Sequence, residues 1–237
     1  MNNINKISII IPVYNERNFI RSLISAVEEV SLPCEKEIVL VDDGSKDGTT
    51  DILKEYVNRY RIIINPKNKG KGFALRTGMA AATGDIVIIQ DADLEYNPKE
   101  YPILLAPIIE GYADVVYGSR FITVFPRRVL YFSHYVANRY LTLLSNMLTG
   151  LNLSDMETGF KVFRKEVINS ILNHLKSNRF GIEPELTAYV AKKKFRVYEV
   201  GISYRGRTYQ EGKKINWKDG IATLWHIVRF NIFTRIN

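Results

Sequence analysis

The chain contains a single cysteine, Cys34, in 237 residues, and its three histidines, His134, His174 and His226, lie far apart. A lone thiol cannot close an internal disulfide, and no Cys or His pair has the spacing of a zinc site. Long apolar runs are equally scarce. A membrane-spanning helix needs about 20 consecutive apolar residues. The nearest approach, Val129 to Ser154, is broken by Arg139 and by a succession of Ser, His, Asn and Thr residues. It reads as an amphipathic helix suited to lying against a bilayer rather than crossing it. No signal peptide is visible, so a reducing cytoplasm is the expected setting. Also missing are the Gly-Lys-Ser/Thr of a Walker loop and a Gly-x-Gly-x-x-Gly directly after a first strand, which removes the main support for an ATPase or a dehydrogenase. With no linker, repeat or biased tract, the chain is expected to fold as one α/β unit along its whole length.

Positive charge is what the chain has in excess. Lys and Arg total 33 against 25 acidic residues, a net +8, so its surface attracts nucleotides, lipid phosphates, acidic membranes or nucleic acid. Aromatic and basic residues are not interleaved as stacking motifs, which makes nucleic acid the poorest of these partners.

Short β-rich runs alternate with helical stretches through the first two-thirds. Strands are expected at Ile7–Val13, Glu37–Val41, Ile62–Ile64, Asp85–Gln90 and Asp114–Tyr117, with helices starting near Glu16, Asp47, Lys71 and Pro98. Such alternation predicts βαβ units and a mostly parallel sheet. Ile9-Ile10-Ile11, Ile38-Val39-Leu40-Val41 and Ile86-Val87-Ile88-Ile89 are apolar without alternation, as in strands covered by helices on both faces. Beyond residue 120 the pattern predicts a long helix over 129–149, a short β element near Phe160–Phe163, two helices, a strand near Arg196–Tyr204 and a last helix from Trp217.

Ligands of an open parallel sheet sit beyond the carboxyl ends of the strands, and the polar clusters fall there. Asp91-Ala92-Asp93 closes the fourth strand, where two carboxylates repel each other unless a cation lies between them. A hard divalent ion, Mg²⁺ or Mn²⁺, would bridge them to a diphosphate; a pair of turn-forming or capping aspartates is the alternative. After the second strand, Asp43 offers an acceptor for a base or ribose, while Ser45 or Asp47 suits a helix cap. Pro12-Val13-Tyr14-Asn15-Glu16 forms a turn in which Tyr14 presents a stacking face and Glu16 an acceptor. Asn68-Lys69-Gly70-Lys71-Gly72, opening a helix, suits a phosphate cradle.

Taken together these motifs resemble the family 2 glycosyltransferases, most closely the polyprenyl-phosphate sugar synthases. The resemblance rests on Pro12-x-Tyr14-Asn15-Glu16, Asp42-Asp43-Gly44-Ser45-x-Asp47-Gly48-Thr49, Asn68-x-Gly70-Lys71-Gly72, Asp91-Ala92-Asp93-Leu94, Gly118-Ser119-Arg120 and Asp155-x-Glu157-Thr158-Gly159-x-Lys161. It implies a GT-A fold and inverting, metal-dependent transfer from a nucleoside diphosphate sugar, GDP-mannose or a UDP-sugar. By that resemblance Pro12, Tyr14, Glu16, Val41 and Asp43 contact the nucleoside, Lys71 the phosphates, and Asp91, Asp93 and Glu95 the metal. Arg120 reaches the phosphate groups, and Asp93 and Arg120 carry the catalytic roles. Tyr204-Arg205-Gly206-Arg207, followed by Lys213 and Lys214, resembles the basic loop that closes over the site, with Arg207 and Lys213 on the donor and Arg128, Arg205 and Lys214 on the acceptor. Here the loop is longer and richer in Gly and Lys than the mannose synthase pattern, which leaves the donor sugar open.

The implied division is a catalytic domain over 1–215, with a nucleotide-sugar half to about 120 and an acceptor half from 121, then an amphipathic helix over 216–237. The expected acceptor is a dolichyl or undecaprenyl phosphate, met peripherally at the cytoplasmic face of a membrane with or without a separate membrane subunit. A sugar hydroxyl is the alternative acceptor. It would need a base, for which Asp155, Glu157, Glu183 and Glu185 are available, although Glu183-Pro184-Glu185 also suits a helix start. A nucleotidyltransferase or a non-catalytic basic module ranks behind both. The Gln-x-x-Arg-Trp motif of processive synthases is absent.

Overall fold

The structure is a computed structural model that describes residues 4–122, 124–129, 131–208, 210–211 and 217–236, the side chains of Trp217 and Lys218 excepted. Seven strands form one sheet: β1 (Lys6–Val13), β2 (Glu35–Asp42), β3 (Arg61–Ile64), β4 (Ile86–Ile89), β5 (Val115–Ser119), β6 (Lys161–Arg164) and β7 (Val197–Gly201), in the spatial order β3-β2-β1-β4-β6-β5-β7. Interleaved with them are α1 (Ile20–Glu29), α2 (Thr49–Lys54), α3 (Lys71–Ala81), α4 (Tyr101–Ile109), α5 (Phe132–Thr149), α6 (Lys165–Ile171), α7 (Ile182–Lys192) and α8 (Trp217–Val228), the last continued by a wider turn over Arg229–Phe233. The apolar unalternated strands behave as their composition requires. On β1, Ile9 and Ile11 pack with α1 and α4, whereas Ile10 faces Leu75 and Met79 of α3. Each buried isoleucine contributes about 1.5–3 kcal/mol, so both faces of the central strands are committed to core. Gly78 lets α3 press onto that sheet, since a Cβ there would lie 2.4 Å from Ile10 Cγ2.

Boundaries shift by a few residues from those expected. The turn at Glu16, whose carbonyl accepts from the Phe19 and Ile20 amides, delays α1 to Ile20, and a 3-10 turn over Pro98–Glu100 precedes α4. A larger difference lies in β6. The expected short element near Phe160 runs antiparallel to both β4 and β5 and sits between them. Residues beyond 150 therefore complete the middle of the sheet, and the expected halves meeting near residue 120 share one sheet. The expected boundary at 215 lies outside the described residues. Among the described residues no helix is long and apolar enough to cross a membrane.

Candidate active site at the strand ends

Strands β1, β2, β4, β5 and β7 all run in one direction, so their carboxyl ends share a rim. Because β6 is reversed, its amino end reaches the same rim and delivers Asp155 through Gly159 to it. That segment thus joins the polar clusters expected there.

At the end of β4, Asp91 meets Lys71 from the first residue of α3, with Nζ 2.7 Å from Oδ1. The same ammonium lies 3.1 Å from Glu183 Oε1 at the start of α7, and Glu183 also binds the fully buried Lys161 of β6. Burial works against the charge on Lys71, but Asp91 and Glu183 outweigh it and hold its pKa above the ordinary lysine value. Burial likewise opposes ionisation of Glu183, yet Lys161 and Lys71 keep its pKa low. Gly159 makes this packing possible, because a Cβ there would stand 2.2 Å from Asp91 Oδ2 and 3.0 Å from Lys71 Nζ.

Two residues on, Asp93 and Glu95 are set by Leu94, which adopts φ +59°. This left-handed conformation costs a residue with a Cβ about 1–2 kcal/mol, and the packing of Leu94 against the core offsets it. Asp93 Oδ2 receives Arg207 Nη2 at 2.8 Å, while the same guanidinium lies 3.3 Å from Glu16 and 3.4 Å from Glu95. Burial first, then the neighbouring charges of Glu95 and Asp91, raise the Asp93 pKa to about 7 even with Arg207 beside it.

Arg120, at the end of β5, is bound by the buried Asp155 through Nε and Nη2, both at 2.7 Å. Its guanidinium lies 5.3 Å from the centre of the Tyr204 ring, which itself packs on Tyr96. Asp43 is buried and turned towards its own chain, accepting from Asn65 Nδ2 and from the amides of Lys69 and Gly70, at 2.6 Å for the last. It therefore shapes the 68–70 loop. The Val41 side chain is fully buried with Val39 and Ala74, and Pro12 and Tyr14 are half-buried on the rim beside them. Arg205 is exposed; its amide donates to the Glu95 carbonyl. Arg128 grips the Gly206 carbonyl at 3.0 Å and Glu211 at 2.7 Å, tying down the loop rather than standing open to an acceptor. Lys213 and Lys214 lie outside the described residues.

The donor set at Asp91 and Asp93 suits a hard divalent cation, since its oxygens are carboxylates and a cation there would relieve the burial and the repulsion from Glu95 and Asp91 that raise the Asp93 pKa. Among the described residues, however, no three His, Cys, Asp or Glu side chains are arranged to hold a metal ion. Asp91 faces Lys71, Asp93 faces Arg207, and Glu95 accepts from the Tyr204 hydroxyl at 2.7 Å. The expected trio of metal ligands is not preassembled in this arrangement, because cations of the chain already answer each carboxylate. Sequence reasoning missed Tyr96 and the roles of Tyr204 and Lys161. The last two stood in recognised motifs, but only the reversal of β6 aims Lys161 at Glu183.

Residues 8–172 match the model of glycosyl transferase family 2. The chain belongs to that family. This family 2 glycosyltransferase is 30% identical to the dolichol-phosphate mannosyltransferase of Pyrococcus furiosus over 89% of its own length and 60% of the relative's. It is 33% identical to the undecaprenyl-phosphate 4-deoxy-4-formamido-L-arabinose transferase of Proteus mirabilis, over 89% and 63%. The chain thus spans about three-fifths of these curated relatives. An uncharacterised protein of Methanocaldococcus jannaschii matches at 30% over 98% of the chain and 96% of its own length. Glucosyl-3-phosphoglycerate synthase of Mycobacterium tuberculosis, solved with Mn²⁺, uridine diphosphate and phosphoglyceric acid, superposes with a TM-score of 0.75 at 20% identity, covering 98% of this chain and 80% of that one. The expected GT-A architecture is thereby established.

Proposed function

We propose that this chain moves a hexose, with inversion, from a nucleoside diphosphate sugar to a polyprenyl phosphate at the cytoplasmic face of a membrane. The observation that carries the reading is the pair of carboxylates ending β4, each beside a cation, on a rim flanked by a helix with exposed apolar side chains. The names of the Pyrococcus and Proteus relatives support the lipid phosphate acceptor.

In this proposal Tyr14, Pro12 and Glu16 face the nucleoside, while Val41 and Asp43 support it from beneath by packing and by holding the 68–70 loop. Asp91, Asp93 and, after release from Tyr204, Glu95 hold the divalent cation, which supplies positive charge to the departing diphosphate. Lys71 adds its ammonium and the amino end of α3 adds backbone N–H groups to the same phosphates. Arg120, kept rigid by Asp155, contributes fixed positive charge at the reacting centre. Lys213 joins Arg207 on the donor. A phosphate monoester, with a second pKa near 6, is already anionic at neutral pH and attacks without a base. Arg128, Arg205 and Lys214 line its approach once the loop opens.

Helix α5 presents Phe132, Val136, Tyr140, Leu143 and Met147 along one stripe, with Phe132 77% and Met147 73% exposed. Ile221 and Trp225 extend exposed apolar surface onto α8, which packs against α5. Arg127 and Arg128 precede α5 and Arg139 lies on it, all three exposed. Apolar side chains accompanied by arginine fit the boundary of an anionic bilayer.

The test is to incubate the protein with Mn²⁺, labelled nucleotide sugars and polyprenyl phosphate and extract into organic solvent. Label is expected in the organic phase with one donor; label confined to water with every donor sinks the lipid acceptor. Transfer to a sugar hydroxyl is the second reading. It is favoured by Glu157, a partly buried carboxyl raised to about 7 by burial and by the nearby charge of Glu183; among the described residues nothing donates to its Oε1. A base of that pKa suits deprotonation of an alcohol near neutrality.

A further inference from the structure

Three carboxylates from two strand ends close on one guanidinium. Glu16 follows β1, Asp93 and Glu95 follow β4, and Arg207 comes from the loop after β7 with only 11% of its side chain exposed. The loop is fastened around that contact. The Arg207 amide donates to Glu95 Oε1 at 2.8 Å and the Tyr204 hydroxyl to Oε2 at 2.7 Å, while Arg128 holds Gly206 and Glu211 from the other side. The guanidinium therefore lies against a carboxylate that a divalent cation needs, and two positive charges cannot share Asp93 at short range without repulsion.

We propose that Arg207 is a resident counter-ion that competes with the divalent cation for Asp93, so that tight metal binding requires the nucleoside diphosphate. The diphosphate offers the guanidinium a bidentate anionic partner, draws it off the carboxylates and frees Glu95 along with Asp93. Metal and nucleotide then enter as a pair, each tightening the other by the same factor. Lys71 imposes no such condition on Asp91, because Glu183 holds it in place whether or not the metal is present. The inference rests on the assignment of Asp91 and Asp93 as metal ligands.

The experiment titrates the full chain with Mn²⁺ alone and then with Mn²⁺ plus uridine or guanosine diphosphate, following free Mn²⁺ by electron paramagnetic resonance. Wild-type protein is expected to bind Mn²⁺ weakly alone and much more tightly with the nucleotide. Arg207→Gln should bind Mn²⁺ alone roughly tenfold more tightly than wild type, within the usual range of coupling factors, and should respond less to the nucleotide. Arg207→Lys, which keeps the charge, should stay near wild type. Glu16→Gln loosens the guanidinium without touching Asp93 and should shift affinity the same way as Arg207→Gln, which separates release of the plug from damage to the loop. Equal affinity for Mn²⁺ alone in wild type, Arg207→Gln and Glu16→Gln overturns the competition while leaving the metal site standing. Failure of every form to bind Mn²⁺ with the nucleotide present overturns the metal assignment and this inference with it.

Discussion

Lys71 and Arg207 answer the two aspartates ending β4, and they are held in opposite ways. Lys71 is the first residue of a helix packed on the sheet, and its ammonium is shared between Asp91 and a Glu183 that is itself neutralised by Lys161. Arg207 stands on a loop and binds Glu16, Asp93 and Glu95 from there. Removing the first cation leaves buried charge uncompensated inside the fold; moving the second requires only a loop to shift. The contrast teaches that one rim combines a permanent charge with an exchangeable one, and that backbone setting, rather than residue chemistry, decides which is which.

The sharpest way to break the comparison is at the carboxylate both readings share. Asp93→Asn should reduce sugar transfer by three orders of magnitude or more with an unchanged circular dichroism spectrum, and retained transfer would remove Asp93 from the metal site. A smaller effect separates the two cations themselves. Lys71→Met should lower unfolding free energy by about 3–5 kcal/mol, as expected when one partner of a buried pair is lost, whereas Arg207→Gln, whose loop can shift to let water reach the carboxylates, should cost less in the same denaturant titration. Similar costs for the two would mean that the loop is as integral as the helix.

The gentlest test uses Glu157, a carboxyl on which burial and Glu183 outweigh the pull of Lys161 and Arg120. Its pKa of about 7 in the folded chain, against 4.5 ordinarily, means that the native state holds the proton more tightly. Stability from this group is therefore fully present below pH 4.5 and lost as pH rises through 7, roughly 3 kcal/mol in all. Glu157→Gln lacks that loss, so its melting temperature relative to wild type should rise by about 5 °C or more between pH 5 and pH 8. A difference independent of pH would place Glu157 in an ordinary environment.

Much of this was legible in the residues. Apolar runs without alternation marked the doubly covered strands, and polar clusters after them marked the rim, because both follow from local pattern. The reversal of β6 was not legible, since Lys161–Arg164 is too short to carry a directional signal and its partners lie some 75 and 46 residues upstream. Nor was the pairing of Asp43 with the 68–70 loop, or of Arg128 with Glu211; these depend on where loops close in space. Leu94 gave no hint of its left-handed backbone, because leucine is an ordinary choice only for other conformations. Composition thus identified the groups that carry charge, whereas their partners emerged only from the tertiary arrangement.

The reversed β6 also governs the order in which the chain can fold. As the polypeptide emerges amino end first, β1 to β4 can assemble at once, but one edge of β4 stays bare and β5 has no neighbour until residues 161–164 arrive. An uncovered edge of Ile and Val invites pairing with other chains. Late, long-range strand insertion of this kind slows the search for the native state and lengthens that exposure. The piece ending near residue 120 is thus an unfinished sheet awaiting its keystone.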